Sequence, residues 1–583
     1  MPLHPTVDPQ RRPRRVLAAS LTAATVLACA ACGSSHSSGT TIDPASAVPA
    51  TAPLYASATV RPDGALQSAA RAAGRALTQQ ADPYLRLLGA LQTPGSPALD
   101  FKRDVAPWLG PRAGVFLGST GGAGEADVSR LLWLLQQGLL GESSATGGFP
   151  FAAHGVDGAF VLDSSDATKA RSFIATQARR AGAHAAAYRG TSYQATAGGI
   201  AFGIVHRLVV IGSESALHGV IDTTAGGPSL ARATAYSTLL GSTPSGTLAH
   251  VYANAGALAR AGNAPSQGLT SVVSLLAGGR PVNISLIPSR NSIAVDADAL
   301  AAGTTPASGG LLSSSSEASR AMGELPGESW LAVGLGDVGS TLGSDVQALQ
   351  GLASLGGSPT GPSPEAQSSL NVKGLIEGIL APIRALGADT PAAKRDFASW
   401  MGSAGLFAAG TGLLELKGGV VIDSKNAALS RAAVGKLAAL LRKGGGSVQP
   451  ASIPGTEAAV AARLRGLPVV LDIAAGRSAS GQSKFVIGIG EASVEAALNP
   501  SSTLAGAASY GAAAAALGAG FQPSISVDFP TLLGLLEGIG LNEDPTISPF
   551  VPYLRSLTTL AGGGKRLGGG IERFRLVFGL QGG

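Results

Sequence analysis

Short runs of alternating apolar and polar residues, separated by helical stretches, punctuate this 583-residue chain. Leu54-Tyr55-Ala56-Ser57-Ala58 reads as a strand, and periodic Leu and Ala over 66–91 predict a helix. A Trp108-Leu109-Gly110 turn leads into a strand at Gly114–Leu117. Phe160–Asp163 is the next strand, after which Ser164 or Ser165 is placed to cap a helix starting near Ala167. Ser192–Ala195 and Ile200–Val205 predict a hairpin around Gly198-Gly199. Leu208–Gly212 is a further strand, Glu214–Thr223 a helix, and 247–253 and 283–298 read as strands again. Strands that come in runs, with helices interspersed but no regular strand–helix alternation, predict an α+β fold with mostly antiparallel sheets and packed helices.

The plan is written twice. VPATAPLYASATV (48–60) parallels LPGESWLAVGLGD (325–337), and FKRDVAPWLG (101–110) parallels AKRDFASWMG (393–402). AFVLDSSDATKAR (159–171) parallels GVVIDSKNAALSR (419–431), and SLARATAY (229–236) parallels TLAGAASY (503–510). Order, spacing and chemistry agree, so a tandem duplication of one domain is expected: copy 1 at 48–310, a linker at 311–324 and copy 2 at 325–583. Extra residues near 119–150 belong to the first copy alone, and others near 340–372 to the second. The repeat singles out Trp108 and Trp400 as core anchors ahead of a glycine turn. Asp104 and Asp396, each after Lys-Arg, read as helix-end or turn carboxylates, and Asp163 and Asp423, each before Ser, as cap residues. The junction between the copies is left undefined, whether open, filled or polar.

The start of the chain changes the picture from fold to location. Arg11, Arg12, Arg14 and Arg15 precede an uncharged stretch from Val16 to Ala28, the layout of a secretory signal at 1–28. Val26-Leu27-Ala28-Cys29 and Ala30-Ala31-Cys32-Gly33-Ser34-Ser35 resemble a bacterial lipobox, so Cys29 or Cys32 is expected to carry the lipid, with Cys29 ahead on its upstream residues. A flexible Ser/Gly/Pro tether at 29–47 follows. These are the chain's 2 cysteines, which leaves the rest without disulfide, thiolate metal site or cysteine nucleophile. Mean hydropathy of +0.27 comes from abundant Ala and Gly, not from a later run of about 20 apolar residues. Four Arg and one Asp in 1–28 leave the remainder at +3 of the chain's +6, too little and too scattered for a nucleic-acid footprint.

Chemistry-bearing motifs fail one by one. His206, His218 and His250 are isolated singles, His154 and His184 form no ligand spacing, and the second copy has no histidine. Ser483-Lys484 has no Ser-x-x-Lys around it, and Gly562-Gly563-Gly564-Lys565 is followed by Arg566 where a phosphate loop needs Ser or Thr, so it reads as a Gly-rich hairpin turn. Apolar segments at 128–135, 374–380 and 531–536 are expected to pack between elements or to line a cavity for a lipid.

The opening Pro49…Ala52-Pro53-Leu54-Tyr55…Val60-Arg61-Pro62-Asp63-Gly64, with Phe101…Asp104-Val105…Pro107-Trp108-Leu109-Gly110…Gly114…Phe116, resembles the domain-of-unknown-function family 3352 of exported bacterial proteins. The second copy carries Ser399 at the place of Pro107 and nothing at that of Arg61-Pro62. The resemblance implies export and transfers no catalytic residue. The expected protein is therefore non-enzymatic, without cofactor or metal. It is anchored by lipid to the outer face of the cytoplasmic membrane, with an apolar ligand or an envelope protein as partner, no nucleic acid, and a role in binding or envelope organisation. The alternatives are a lipid or glycolipid carrier with an apolar cavity and an enzyme of unknown type.

Overall fold

The computed structural model describes residues 42–78, 100–118, 157–254, 256–258, 280–300, 315–341, 386, 390–412, 415–464, 467, 469–538, 548 and 551–581. The expected signal, Cys29, Cys32, His154, the apolar segments 128–135 and 374–380, the expected extra residues 119–150 and, of those expected near 340–372, residues 342–372 lie outside them.

Among the described residues twenty strands form a single sheet. The first ten are β1 (Leu54–Thr59), β2 (Leu109–Leu117), β3 (Gly158–Ser164), β4 (His184–Tyr188), β5 (Thr191–Ala195), β6 (Ile200–Val205), β7 (Leu208–Ser213), β8 (Ala249–Asn254), β9 (Pro281–Pro288) and β10 (Ser292–Leu300). The second ten are β11 (Ser329–Leu335), β12 (Met401–Ala409), β13 (Lys417–Ser424), β14 (Ser447–Pro450), β15 (Thr456–Arg463), β16 (Val470–Arg477), β17 (Ser483–Ile489), β18 (Gln522–Asp528), β19 (Leu557–Leu567) and β20 (Ile571–Leu580). All pairings are antiparallel, and the fold is α+β as the hydrophobic pattern predicts.

In the first half the spatial order is β4-β5-β6-β7-β3-β2-β1-β8-β9-β10. The second half follows the same order, β14-β15-β16-β17-β13-β12-β11-β18-β19-β20. The halves join where β10 pairs with β20 from Ser292↔Gly579 to Leu300↔Ile571, so no cleft separates them at the seam. The sheet ends at β4 and β14, five and four residues long, and strand edges this short offer little for another chain to pair with.

Alternation along each strand feeds two cores. Phe160 and Leu162 of β3 and Val209 and Ile211 of β7 face the helix Ala167–Arg180, with Trp108 and Phe173. Their neighbours Val161, Leu208 and Val210 face the opposite way, onto Tyr55, Leu217 and the helix Glu214–Thr224. The second half repeats the division: Ile422, Phe485 and Ile487 meet Trp400 and the helix Ala427–Lys443, while Val421 and Val486 meet Met322, Val494 and Leu498.

Several expectations shift. The stretch expected as one strand at 283–298 is the β9–β10 hairpin. Of the helix expected at 66–91, Gly64–Thr78 is described. The tether does not run to 47: Asp43 caps a short 3-10 turn, Pro44–Ser46, and Ala45, Ala47 and Val48 are fully buried, because small apolar side chains pack into the core around Tyr55 and Leu217. The linker at 311–324 contains the helix Ser316–Gly323, capped by the Ser315 hydroxyl, with Ala318 and Met322 fully buried. Gly562–Lys565 is not a turn but part of β19, and the chain reverses at Gly568–Gly570. Glycine is needed at 563 because a Cβ there would lie 2.4 Å from the Gln522 carbonyl oxygen across the ladder. No described helix is long and apolar enough to cross a membrane.

Candidate functional site

The repeated positions hold the framework. Trp108 and Trp400, 1% and 0% exposed, donate their indole N–H to the carbonyls of Asp104 (2.9 Å) and Asp396 (3.0 Å). Each ring packs on a phenylalanine, Phe173 at 4.9 Å and Phe485 at 5.1 Å between centroids. Asp104 pairs with Arg103, and Asp396 with Arg395 and Lys436. These hydrogen bonds from the basic side chains pull both carboxyls below the usual range.

Asp163 and Asp423 are not caps. The helix caps are Asp166, whose carboxylate accepts the N–H groups of Thr168 and Lys169, and Asn426, which accepts that of Leu429. Their strands run on for one more residue than the pattern suggests, which leaves both aspartates inside the ladder, opposite Leu208 and Lys484. Gly110 and Gly402 stand beside them; a Cβ at Gly110 would lie 2.6 Å from Asp163 Oδ2.

The two carboxylates live differently. Asp423 accepts from Lys484 Nζ (2.5 Å), Arg320 Nη2 (3.1 Å) and the Ser403 hydroxyl (2.6 Å), and Lys484 also reaches Glu324. Arg320 and Glu324 come from the Ser316–Gly323 helix and its end. Among the described residues the first half has the short turn Pro44–Ser46 in that place, which supplies no such partner. Asp163 is fully buried, neither oxygen has a hydrogen-bond partner, and Arg207 stands 3.5 Å away. Burial raises its pKa, against the pull of Arg207. A carboxyl raised on folding favours the folded state below the unfolded value and loses that contribution as pH rises through the folded one. Asp163→Asn is therefore expected to gain stability relative to the parent at pH 7, with the gap closing as the pH falls toward ~4, near the unfolded value. Thermal melts across that range check it, and a pH-independent difference would contradict the raised carboxyl.

The histidines are less isolated than their spacing suggests. His250 of β8 meets the Tyr236 hydroxyl at 3.1 Å, beside Tyr55, and burial lowers its pKa to about 4, so it stays neutral at physiological pH. His218 stacks on Tyr188 with centroids 3.9 Å apart, and its Nε2 lies 2.9 Å from the Tyr193 hydroxyl. That hydroxyl donates its one proton to Glu214, so it accepts from His218 Nε2. Burial, then Glu214, raise the Tyr193 pKa to about 12. The nearby hydroxyls of Ser213 and Ser215 both donate to Asp157. The phenol, imidazole and hydroxyl groups here are thus engaged with one another.

A different place offers room for a ligand. Gly327, Glu328, Ser329 and Trp330 at the start of β11 enclose a groove of about 500 Å³ with Gly410, Thr411, Glu415 and Lys417 of the β12–β13 turn and with Ser509, Asp528 and Thr531. The Trp330 indole N–H donates to the Gly410 carbonyl at 3.0 Å, which fixes the ring against the turn. Gly410 sits at φ +93°, where a Cβ would lie 2.3 Å from the Glu415 carbonyl oxygen, so the turn requires glycine. Lys417 pairs with Glu328 at 3.4 Å, the Thr411 hydroxyl donates to Glu415 at 3.3 Å, and the Thr531 hydroxyl donates to Asp528 at 2.5 Å. Only the 531–536 segment hinted at this place, since the wall is assembled from residues two hundred positions apart. Among the described residues no three His, Cys, Asp or Glu side chains converge as metal ligands.

Comparison with known proteins adds one firm result. A search of solved structures matches TP0453 in its crystal form I, at 11% identity over 46% of this chain and 81% of that one, with a TM-score of 0.24 that carries no argument. No curated protein matches the chain. The family model described as protein of unknown function DUF3352 matches residues 16–559, and the chain belongs to that family.

Proposed function

We propose that this chain is an exported, lipid-anchored binding protein of the cell envelope, assembled from two copies of one domain and without a reaction of its own. The observation that carries the reading is the groove at Trp330, a ligand-sized recess with a fixed indole wall at the start of β11. Equivalent strand order and equivalent Trp, Asp and Gly positions support descent of the halves from one unit. The segment from Arg11 to Cys32 supports export and anchoring to the outer face of the cytoplasmic membrane. A binding role fits a site set on paired strands, because a wide sheet holds its side chains in place without moving parts.

The anchor is tested by changing Cys29 and Cys32 to Ser, singly and together, in cells expressing the full chain. One single variant and the double variant are expected to shift the protein from the membrane fraction to the soluble exported fraction. Export with full membrane retention in the double variant would end the lipoprotein reading. The rival, a carrier of lipid or glycolipid, draws on the helix Phe529–Gly538, in which Leu535 alone is buried while Leu532, Leu533 and Leu536 are half-buried next to the groove.

A further inference from the structure

We infer that the Trp330 groove takes a neutral saccharide of one or two sugar units; the inference rests on the binding role proposed above and adds the chemical class of the ligand. Two features of the lining point there. Eight of its eleven residues carry polar side chains: Glu328, Glu415, Asp528 and Lys417 with the hydroxyls of Ser329, Thr411, Ser509 and Thr531, so an acyl chain would strip water from carboxylate and hydroxyl groups and give them no hydrogen bond in return. The remaining side chain is the half-buried indole of Trp330, the only large apolar surface in the wall. A sugar ring presents the matching pair of surfaces, an apolar C–H face for the indole and a rim of hydroxyls that both donate and accept.

Charge narrows the class further. Three carboxylates against one lysine disfavour an anionic ligand, and Lys417 is already paired with Glu328. A metal cation is not matched either, because no three ligating side chains converge among the described residues. Asp528 and Glu415 already accept one hydroxyl proton each, from Thr531 and Thr411. Carboxylates serving in this way have lone pairs left for further O–H donors, and carboxylate acceptors make the shorter, stronger kind of hydrogen bond.

The first half supplies the control within the same molecule. Its equivalent positions carry Ala50, Thr51, Ala52 and Pro53 in place of Gly327, Glu328, Ser329 and Trp330, and Ala235, Asn254 and Ala257 in place of Ser509, Asp528 and Thr531. Among the described residues the first half thus stands without the indole and with Thr51 and Asn254 in place of Glu328 and Asp528. The indole and these two carboxylates answer to a requirement other than the shared framework.

The test is saturation-transfer NMR on the full chain, purified in a detergent without a sugar headgroup, with glucose, mannose, N-acetylglucosamine and their β- and α-linked disaccharides as probes and a lysine-rich peptide as the cationic control. Transfer to at least one sugar is expected, strongest at the C–H protons that stack on an indole. Affinity is expected to fall at least tenfold in Trp330→Ala and in Asp528→Asn, and also in Ser509→Arg, which fills the groove from an exposed position and leaves the core intact. Transfer to none of the sugars, transfer that persists in all three variants, or binding of the peptide in place of the sugars would each overturn the inference. So would an acyl lipid co-purified in the native mass spectrum and lost in Ser509→Arg. Each of these leaves the anchoring result from Cys29 and Cys32 untouched, so the ligand class can fail while the envelope reading stands.

Discussion

Arg573→Ala is expected to lower the unfolding free energy by about 3–5 kcal/mol and to split one thermal transition into two. The reason lies at the seam between the halves. Asp296 and Asp298 of β10 have fully buried side chains, and they stand directly opposite Arg575 and Arg573 of β20. Each pair is bidentate, with both contacts of Arg573 to Asp298 and both of Arg575 to Asp296 at 2.7 Å. Arg573 also approaches Asp296 at 3.3 Å and donates to the Ser242 carbonyl, while the Ser242 hydroxyl donates to Asp298 at 2.7 Å. Two cations and two anions cancel there, with both carboxylates buried and the Arg573 side chain 8% exposed.

Removal of Arg573 leaves Asp298 charged and buried with one hydroxyl donor, and the loss falls on the ladder that couples the halves. A guanidinium unfolding curve gives the size, and calorimetry gives the number of transitions. The paired replacement Asp298→Leu with Arg573→Met is expected to recover most of the loss, since an apolar pair of similar volume has no charge to desolvate. A loss under ~1 kcal/mol for Arg573→Ala would place the seam among ordinary surface ion pairs and refute its role.

The seam shows which parts of this molecule were legible in the chain and which were not. Alternation located β1, β3, β5, β6 and β7, because a half-buried strand writes its two faces at every second residue. The internal repeat marked Trp108 and Trp400, whose matched indole hydrogen bonds then appear in both halves. What alternation cannot carry is the partner of a buried charge. Asp296-Ala297-Asp298 and Arg573-Phe574-Arg575 are visible as charges on one strand face, yet they lie 277 residues apart and meet only through the pairing of β10 with β20.

Asp163 and Asp423 misled for a related reason. A carboxylate before Ser has the local signature of a cap, but Asp166 and Asn426, three residues further on, take that role and free the earlier aspartates for the ladder. The helix Ser316–Gly323 inside the expected linker is short, and its Ser315 cap shows only in the structure. The groove was hidden most completely, since no single segment holds more than four of its residues.

Lys484→Leu is the second large effect, expected at about 3–5 kcal/mol. It rebuilds in the second half the arrangement the first half already has, a buried aspartate opposite leucine. Lys484 has a side chain 6% exposed and holds Asp423 and Glu324 together. Without it Asp423 keeps Arg320 and Ser403, whereas Glu324 keeps the more exposed Arg320. The first half tolerates Asp163, with Arg207 at 3.5 Å as its ion-pair partner, because burial raises that carboxyl toward the neutral form. The second half instead surrounds its aspartate with a lysine, an arginine and a serine hydroxyl.

The reciprocal change, Leu208→Lys, sets a cation opposite Asp163 and should make the stability of the first half rise with pH where the parent loses it. The two variants therefore move in opposite directions at pH 7, and their combination should be additive to within ~0.5 kcal/mol, because the sites occupy separate cores. Melts of the single and double variants decide the matter. If Lys484→Leu costs no more than a surface substitution, the buried lysine is not what holds the second core, and the contrast between the halves loses its physical basis.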